Sequence, residues 1–498
     1  MSVAETLALV KQAYATPDTG LQKAWTQSAS PTTGLTFYDL EAPAKTLYPV
    51  ITPLRNEIPR VNQQNAGIQA NWRAITAINA NNLSAGVSEG NRGGVIQTTV
   101  TEYLAAYRAL GLEDYVTIEA ELAAQGFDDV KARAAQGLLN SMMIYEEKTI
   151  LGGNSGLALG TTPTPSVSDV ATGGSLSPNT TYSVICVALT MEGLANANLT
   201  YGVQALVSRT NADNSTDQYG GGAARQSAAG TVTTANDGNT THKVRASVTA
   251  VRGAFGYAWY VGSAGSERLE AITTINSVEL SSLAGTGQLA SALPLSDYSK
   301  NMLVFDGLLS MAAQSAMGAY YATMATGTAG TGTGLTADGA GGIQEFDTAL
   351  QYLWDNLRLS PNEIWVSSQE INWIRKKILT GASNAAQRFV FAANQNGLMG
   401  GTVIKGYTNP FTMSTEGEFL PIRLHPNMPA GTVLMTTKKL PYPLSNVTNV
   451  MQMKMRRDYY QVEWPMRSRK YEYGVYADGV LQHFFPPSMA VITNIAAQ

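Results

Sequence analysis

Apolar residues recur along this chain at changing spacings, and each change of spacing marks a new part. Phe127, Val130, Ala134, Leu138, Met142 and Tyr145 return every three or four residues, which places them on one face of a helix. Asp128 and Asp129 fall in its first turn, where carboxylates offset the helix dipole, and Gly152–Gly153 stop it. At 1.5 Å per residue the pattern predicts a rod of roughly 35 Å, long for a globular domain.

Upstream, residues 2–15 carry Leu7, Val10 and Tyr14 at helical spacing, and an arm of little periodicity follows. Pro43, Pro49, Pro53 and Pro59 punctuate its end, so the charged segment Pro53–Arg60 is expected to be extended and to lie on the body or on a neighbour. Ile68, Ala70, Trp72 and Ala74 then alternate with polar residues, as do Ile96, Thr98 and Val100. The glycine-rich stretch between them, with Glu89 and Arg92, predicts a long two-stranded hairpin with a mobile tip. Such a hairpin exposes both edges and invites a partner.

Behind the long helix the sequence turns abruptly into threonine, serine and glycine. Strand candidates at Thr181–Thr190, Val203–Arg209, Thr240–Val251, Ala258–Gly262 and Leu269–Ile275, each bounded by turn residues, predict an inserted all-β sandwich. It resembles immunoglobulin-like or fibronectin-like modules, without the immunoglobulin cysteine pair. From Leu295 mixed α/β sequence resumes: Ile343, Phe346, Leu350, Leu353 and Leu357 predict a helix ended by Pro361, and Ile364–Val366 a buried strand. Ser367 or Ser368 caps a further helix with Ile371, Ile374 and Ile378. The last strands carry Met451, Met453 and Met455 in alternation.

Composition narrows the chemistry. A net charge of −4 argues against a surface built to grip nucleic acid. Arg456, Arg457, Arg467, Arg469 and Lys470 alternate with Asp458, Glu463 and Glu472, as on a solvated strand face. The single cysteine, Cys186, excludes disulfides within the chain and reads as a packed core thiol. No apolar run is long enough to span a membrane, and no export signal is visible. His242, His425 and His483 lie far apart, so zinc-ligand spacing is missing; there is no G-x-S-x-G elbow and no phosphate loop. The glycines of 330–342 follow no strand of a βαβ unit, which speaks against a dinucleotide cofactor. Glu146 and Glu147 invite reading as an acid–base pair, but adjacent helical residues point about 100° apart, so they are expected to flank the apolar stripe as solvated or interface charges. No catalytic residue, cofactor or metal ligand is expected.

The order of parts, together with Met142–Asn154, Val304–Leu309, Gly341–Phe346 and Asn362–Glu370, resembles the major capsid proteins of tailed bacteriophages. The resemblance covers everything except the insert. It implies an α+β fold of the Hong Kong 97-like kind: an N-terminal arm (1–62), an extended hairpin loop (63–110), a peripheral domain with the spine helix (111–160), an inserted immunoglobulin-like domain (161–294), an axial domain (295–445) and C-terminal peripheral strands (446–498). It also implies a non-enzymatic subunit, without cofactors, that assembles with itself into hexamers and pentamers around double-stranded DNA. Separate scaffolding, portal and decoration proteins are the further partners it suggests, and the virion capsid, assembled in the host cytoplasm, the location. Some members weld subunits through a hairpin lysine, but no lysine lies between Lys45 and Lys131, so no such crosslink is expected. Arg55, Glu57, Arg60, Glu89, Arg92, Glu146 and Glu147 are the expected inter-subunit contacts, with plain solvated loop charges as the alternative for the arm and tip. A nanocompartment shell of encapsulin type, or a cytoplasmic enzyme with a carbohydrate-binding module, are the competing readings. Removal of about residues 161–294 is expected to leave a protein that still assembles.

Overall fold

The computed structural model describes residues 47–62, 67–125, 128–339, 341–380, 404–413, 417–443 and 445–497. The expected helix at 2–15 and Phe127 lie outside them.

The long helix forms, over Val130–Gly152. Asp129 caps it, accepting from Ala132 N–H at 3.0 Å. At its far end, backbone crowding explains the glycines: a Cβ on Gly307 would stand 2.5 Å from the Thr149 carbonyl, and one on Gly153 2.4 Å from that of Phe305. The buried stripe runs through Leu138, Met142, Glu146 and Ile150. Tyr145, expected on that stripe, is 38% exposed. Periodicity found the face but chose the apolar neighbour of a buried carboxylate.

This spine lies against a four-stranded sheet ordered Arg60–Asn62, Met451–Glu463, Lys470–His483 and Arg108–Thr117. Met451, Met453 and Met455 alternate inward and are buried with Leu138 and Met142. Ahead of the sheet, Pro53–Glu57 is a short helix, not the extended segment the prolines suggested. Pro53 stands in its first turn, where no N–H is needed and a fixed φ is already helical.

Gln69–Ala77 and Thr99–Ala106 pair antiparallel as a separate two-stranded ribbon, with Trp72 opposite Tyr103. Residues 78–98 form its irregular end.

A six-stranded sheet, ordered Tyr320–Thr323, Ala490–Thr493, Val433–Thr436, Glu363–Val366, Glu418–Leu424 and Gly406–Asn409, separates two cores. Successive side chains on a strand point to opposite faces. Ile364, Val433, Met435 and Ile492 pack under the helix Gln344–Leu357, whereas Trp365, Leu434 and Val491 join the core of the spine.

Residues 166–280 supply a three-stranded sheet (Ser277–Leu280, Lys243–Ser247, Ser166–Val170) and a four-stranded one (Arg268–Thr273, Gly256–Gly262, Thr181–Leu189, Gly230–Thr233). Val244, Ala246 and Val278 of the first share one buried cluster with Val184, Cys186 and Trp259 of the second. The segments leading in and out of this unit are stitched together: Gly160 N–H donates to Asp297 at 2.8 Å, Leu159 N–H to Ser299 Oγ at 3.0 Å, and Asn301 N–H to the Asn154 carbonyl at 2.7 Å. The unit is also seated on the body. Asn276 N–H donates to Asn494 Oδ1 at 2.8 Å while Asn494 Nδ2 donates back to Asn276 Oδ1 at 3.0 Å, and Arg252 stacks over Tyr321.

Candidate functional site

Five of the charges expected to reach neighbouring subunits gather at one junction inside the chain, where the arm crosses the spine. Glu147 is fully buried and each of its oxygens is engaged. Oε1 accepts Leu54 N–H at 2.9 Å and His425 Nε2 at 2.6 Å; Oε2 accepts Arg55 N–H at 2.7 Å. Leu54 and Arg55 open the arm helix, and its Thr52 cap makes no side-chain bond, so a carboxylate 93 residues away in sequence does the capping. Asn427 N–H donates to His425 Nδ1 at 3.1 Å, which fixes the ring proton on Nε2, pointing at Glu147.

Glu146, also buried, binds the arm by side chains. Arg55 Nε donates to Oε2 and Arg60 Nη1 to Oε1, both at 2.7 Å, and Tyr459 OH donates to Oε2 at 2.7 Å. Both guanidinium groups lie over the Tyr459 ring, at 5.1 and 5.2 Å. Arg60 continues to Asp458 at 2.6 Å. Burial alone would lower the Arg60 pKa, but Asp458 and Glu146 outweigh it and raise it. The Asp458 carboxyl, which burial would raise, is held low by the same arginine. Burial and Glu146 push the Tyr459 phenol up, so it remains a donor.

Glu57 closes a third set. It pairs with Arg423 and with Lys438, the latter at 3.0 Å, and those two bases also hold Glu363 at 2.7 and 2.6 Å. The result is a ring of alternating charges, one of them from the arm. Burial raises the Glu363 pKa.

Five of the seven expected contact residues, Arg55, Glu57, Arg60, Glu146 and Glu147, are therefore brought together within one chain. The expectation of solvated flanking glutamates fails because an arm closes over them and supplies donors. An acid–base pair is equally unsuited to the site, since no oxygen of either glutamate is left to face a cleft. Glu89 and Arg92 lie elsewhere, exposed at the hairpin end. Sequence spacing missed His425, Arg423, Lys438 and Glu363, which enter from the six-stranded sheet and the segment after it. It also read Asp458 as a solvated strand charge; register shifts between Met455 and Tyr460 let Asp458 and Tyr459 both reach the arm.

No family model and no curated protein matches the chain. Among solved structures it aligns with the capsid of a native GTA particle over 93% of this chain and 96% of that one, at 8% identity and a TM-score of 0.41. It aligns with the capsid of Myoviridae phage XM1 over 93% and 99%, at 9% identity and a TM-score of 0.41. With the holo-SrpI encapsulin complex of Synechococcus elongatus the figures are 93%, 98%, 8% and 0.39. Among the described residues, no cluster of three or more His, Cys, Asp or Glu could hold a metal ion, and no helix is long and apolar enough to cross a membrane.

Proposed function

We propose that this chain is the major capsid protein of a tailed bacteriophage, a non-enzymatic subunit of Hong Kong 97-like fold that assembles with itself into an icosahedral shell around double-stranded DNA. The observation that carries this reading is the hairpin. Ile75 is 66% exposed, Ile78 73%, Val95 88%, Val100 53% and Leu104 64%, on a ribbon with no third strand on either edge among the described residues. Apolar surface of this extent on an isolated two-stranded ribbon is stable only when covered, and a second copy is the partner a lattice supplies. In this reading the arm, the spine and the terminal strands form the peripheral part, the six-stranded sheet the axial part, and residues 161–294 an immunoglobulin-like decoration. Glu89 and Arg92, at the hairpin end, are the charges placed to meet a neighbour. Each contact alone is weak; repetition around every subunit makes the lattice strong.

Electron microscopy of the purified protein tests this. Uniform closed shells are the expected result, and a population of small oligomers at high concentration would refute it.

A further inference from the structure

We propose that His242 is a proton-operated latch of the inserted unit: as an imidazolium it bonds Asp169 and Asp237 at the same time and holds the loop 234–241 shut, and with one proton fewer it releases that loop. The loop leads from the four-stranded sheet, at Gly230–Thr233, to the three-stranded one, at Lys243–Ser247. Residues 235–241 are exposed, whereas the His242 that ends the loop is 0% exposed. Its Nδ1 lies 3.0 Å from each oxygen of Asp169, on the neighbouring strand Ser166–Val170. Its Nε2 lies 3.0 Å from Oδ1 of Asp237, within the loop. The two carboxylates thus come from different elements, and the ring joins them.

The stereochemistry requires the extra proton. An ionised carboxylate only accepts, and a neutral imidazole has one N–H and one bare lone pair. A neutral His242 would set that lone pair against a carboxylate oxygen at 3.0 Å, whereas the imidazolium donates on both sides. Neither aspartate is placed to carry the proton instead. Asp169 Oδ2 accepts Ala235 N–H at 2.9 Å, and Asp237 Oδ1 accepts Asn239 N–H at 2.9 Å, which with the ring holds the Asp237 carboxyl down to about 2. The Asp237 bond, with Asp169 behind it, raises the imidazole pKa against the covering that would lower it. Other charge nearby is balanced, since Lys243 and Arg245 both pair with Glu279. The segment 171–176, whose Gly174 and Leu176 N–H groups bond the Thr241 and His242 carbonyls, has no ionisable side chain. On losing a proton the ring keeps Asp169, which its strand and Ala235 N–H fix, and turns its lone pair on Asp237. That side chain is 33% exposed and sits on the loop, so the loop is what swings out.

Two measurements on the full-length protein test the latch. Nitrogen NMR of protein labelled in its three histidines reports the protonation of each ring, and His242→Gln identifies this one. At about pH 7.5, a unit above the ordinary histidine value, both His242 nitrogens should still carry protons, and a neutral ring there overturns the proposal. Hydrogen exchange of the loop, divided by the intrinsic rate at each pH, gives its opening constant. Opening is expected to be least below about pH 6.5, to rise by up to about tenfold per pH unit above it, and to level off once the closed ring is neutral. In Asp237→Asn the side-chain amide accepts from the imidazolium and, turned over, donates to the neutral ring, so the loop should stay shut at every pH. A pH-independent loop in the wild type, or the same pH dependence in Asp237→Asn, overturns the proposal.

Discussion

Replacing Glu147 by alanine should release the arm while leaving the rest of the chain folded. The substitution removes the acceptor for three buried donors, Leu54 N–H, Arg55 N–H and His425 Nε2–H. A buried donor left unmade costs about 1–3 kcal/mol, so three of them cost on the order of 3–9 kcal/mol if nothing moves. Something will move, because the arm helix can lift and let water reach its amides. The ceiling on the observed cost is therefore the free energy that seats the arm. Leu54 and Ile58, 2% and 4% exposed, contribute about 1.5–3 kcal/mol each to that seat. A net loss near 3 kcal/mol raises the opening constant of the arm by about two powers of ten. Hydrogen exchange read by mass spectrometry follows this directly, and the informative amide is not on the arm. Met453 N–H donates to the Pro59 carbonyl at 2.9 Å, so it exchanges faster only if the arm departs. Glu147→Gln keeps one acceptor oxygen but turns an N–H₂ toward a donor, and should give an intermediate rate. Wild-type protection of Met453 in Glu147→Ala would refute the claim that the spine carboxylate holds the arm.

Four further outcomes follow from the same geometry. His242 has Asp169 at one ring nitrogen and Asp237 at the other, each at 3.0 Å, with the neighbouring Lys243 neutralised by Glu279; the paired carboxylates raise its pKa, so its stabilisation is full below about pH 6.5 and lost as pH rises through the folded value, and His242→Gln should flatten the melting temperature of the protein over that range. His483 behaves oppositely: burial pushes it down to about 3, so the folded state should lose about 1.4 kcal/mol per pH unit between about 6.5 and 3, and His483→Asn should show a smaller drop in urea midpoint between pH 7 and pH 4. Deletion of residues 161–294 should leave shells visible by electron microscopy but lower their melting temperature, because Asn494 loses the partner amide of Asn276; absence of any soluble shell would make the insert a structural element of the shell. Reversing one tip charge, Glu89→Arg or Arg92→Glu, should slow assembly measured by light scattering, and an unchanged rate in both variants would remove the tip charges from the proposed lattice contacts.

How much of this was legible in the sequence depended on how local its cause was. The helix over 130–152 was readable because its cap, its stripe and its terminal glycines all lie within it. The Trp72 hairpin and the alternating Met451, Met453 and Met455 were readable for the same reason, since a period of two needs no knowledge of the partner. The arm helix is not legible because four prolines argue for an extended path, whereas Pro53 occupies the one turn of a helix that tolerates proline. Hydropathy places Tyr145 rather than Glu146 on the buried stripe because it assigns a carboxylate to solvent. Such a group is buried only when charged donors follow it inside, and here those donors are Arg55 and Arg60, from an arm more than eighty residues upstream.

The buried glutamates and the exposed hairpin together suggest a division of labour along the chain. Glu146 and Glu147 sit where replacement of either is expensive, because each is buried and accepts three donors at once; they fix the arm to the spine of the same chain. The hairpin shows the reverse arrangement. Its apolar residues are exposed, no third strand among the described residues pairs with its edges, and at its base Trp72, stacked on Tyr103 of the same hairpin, meets Phe484 of the body. A subunit whose arm root is locked by charge and whose hairpin is left uncovered can fold before it meets a neighbour, and still have apolar surface to bury when it does. Under the proposed shell function, the two carboxylates act one step before assembly, by setting the arm of each copy in place.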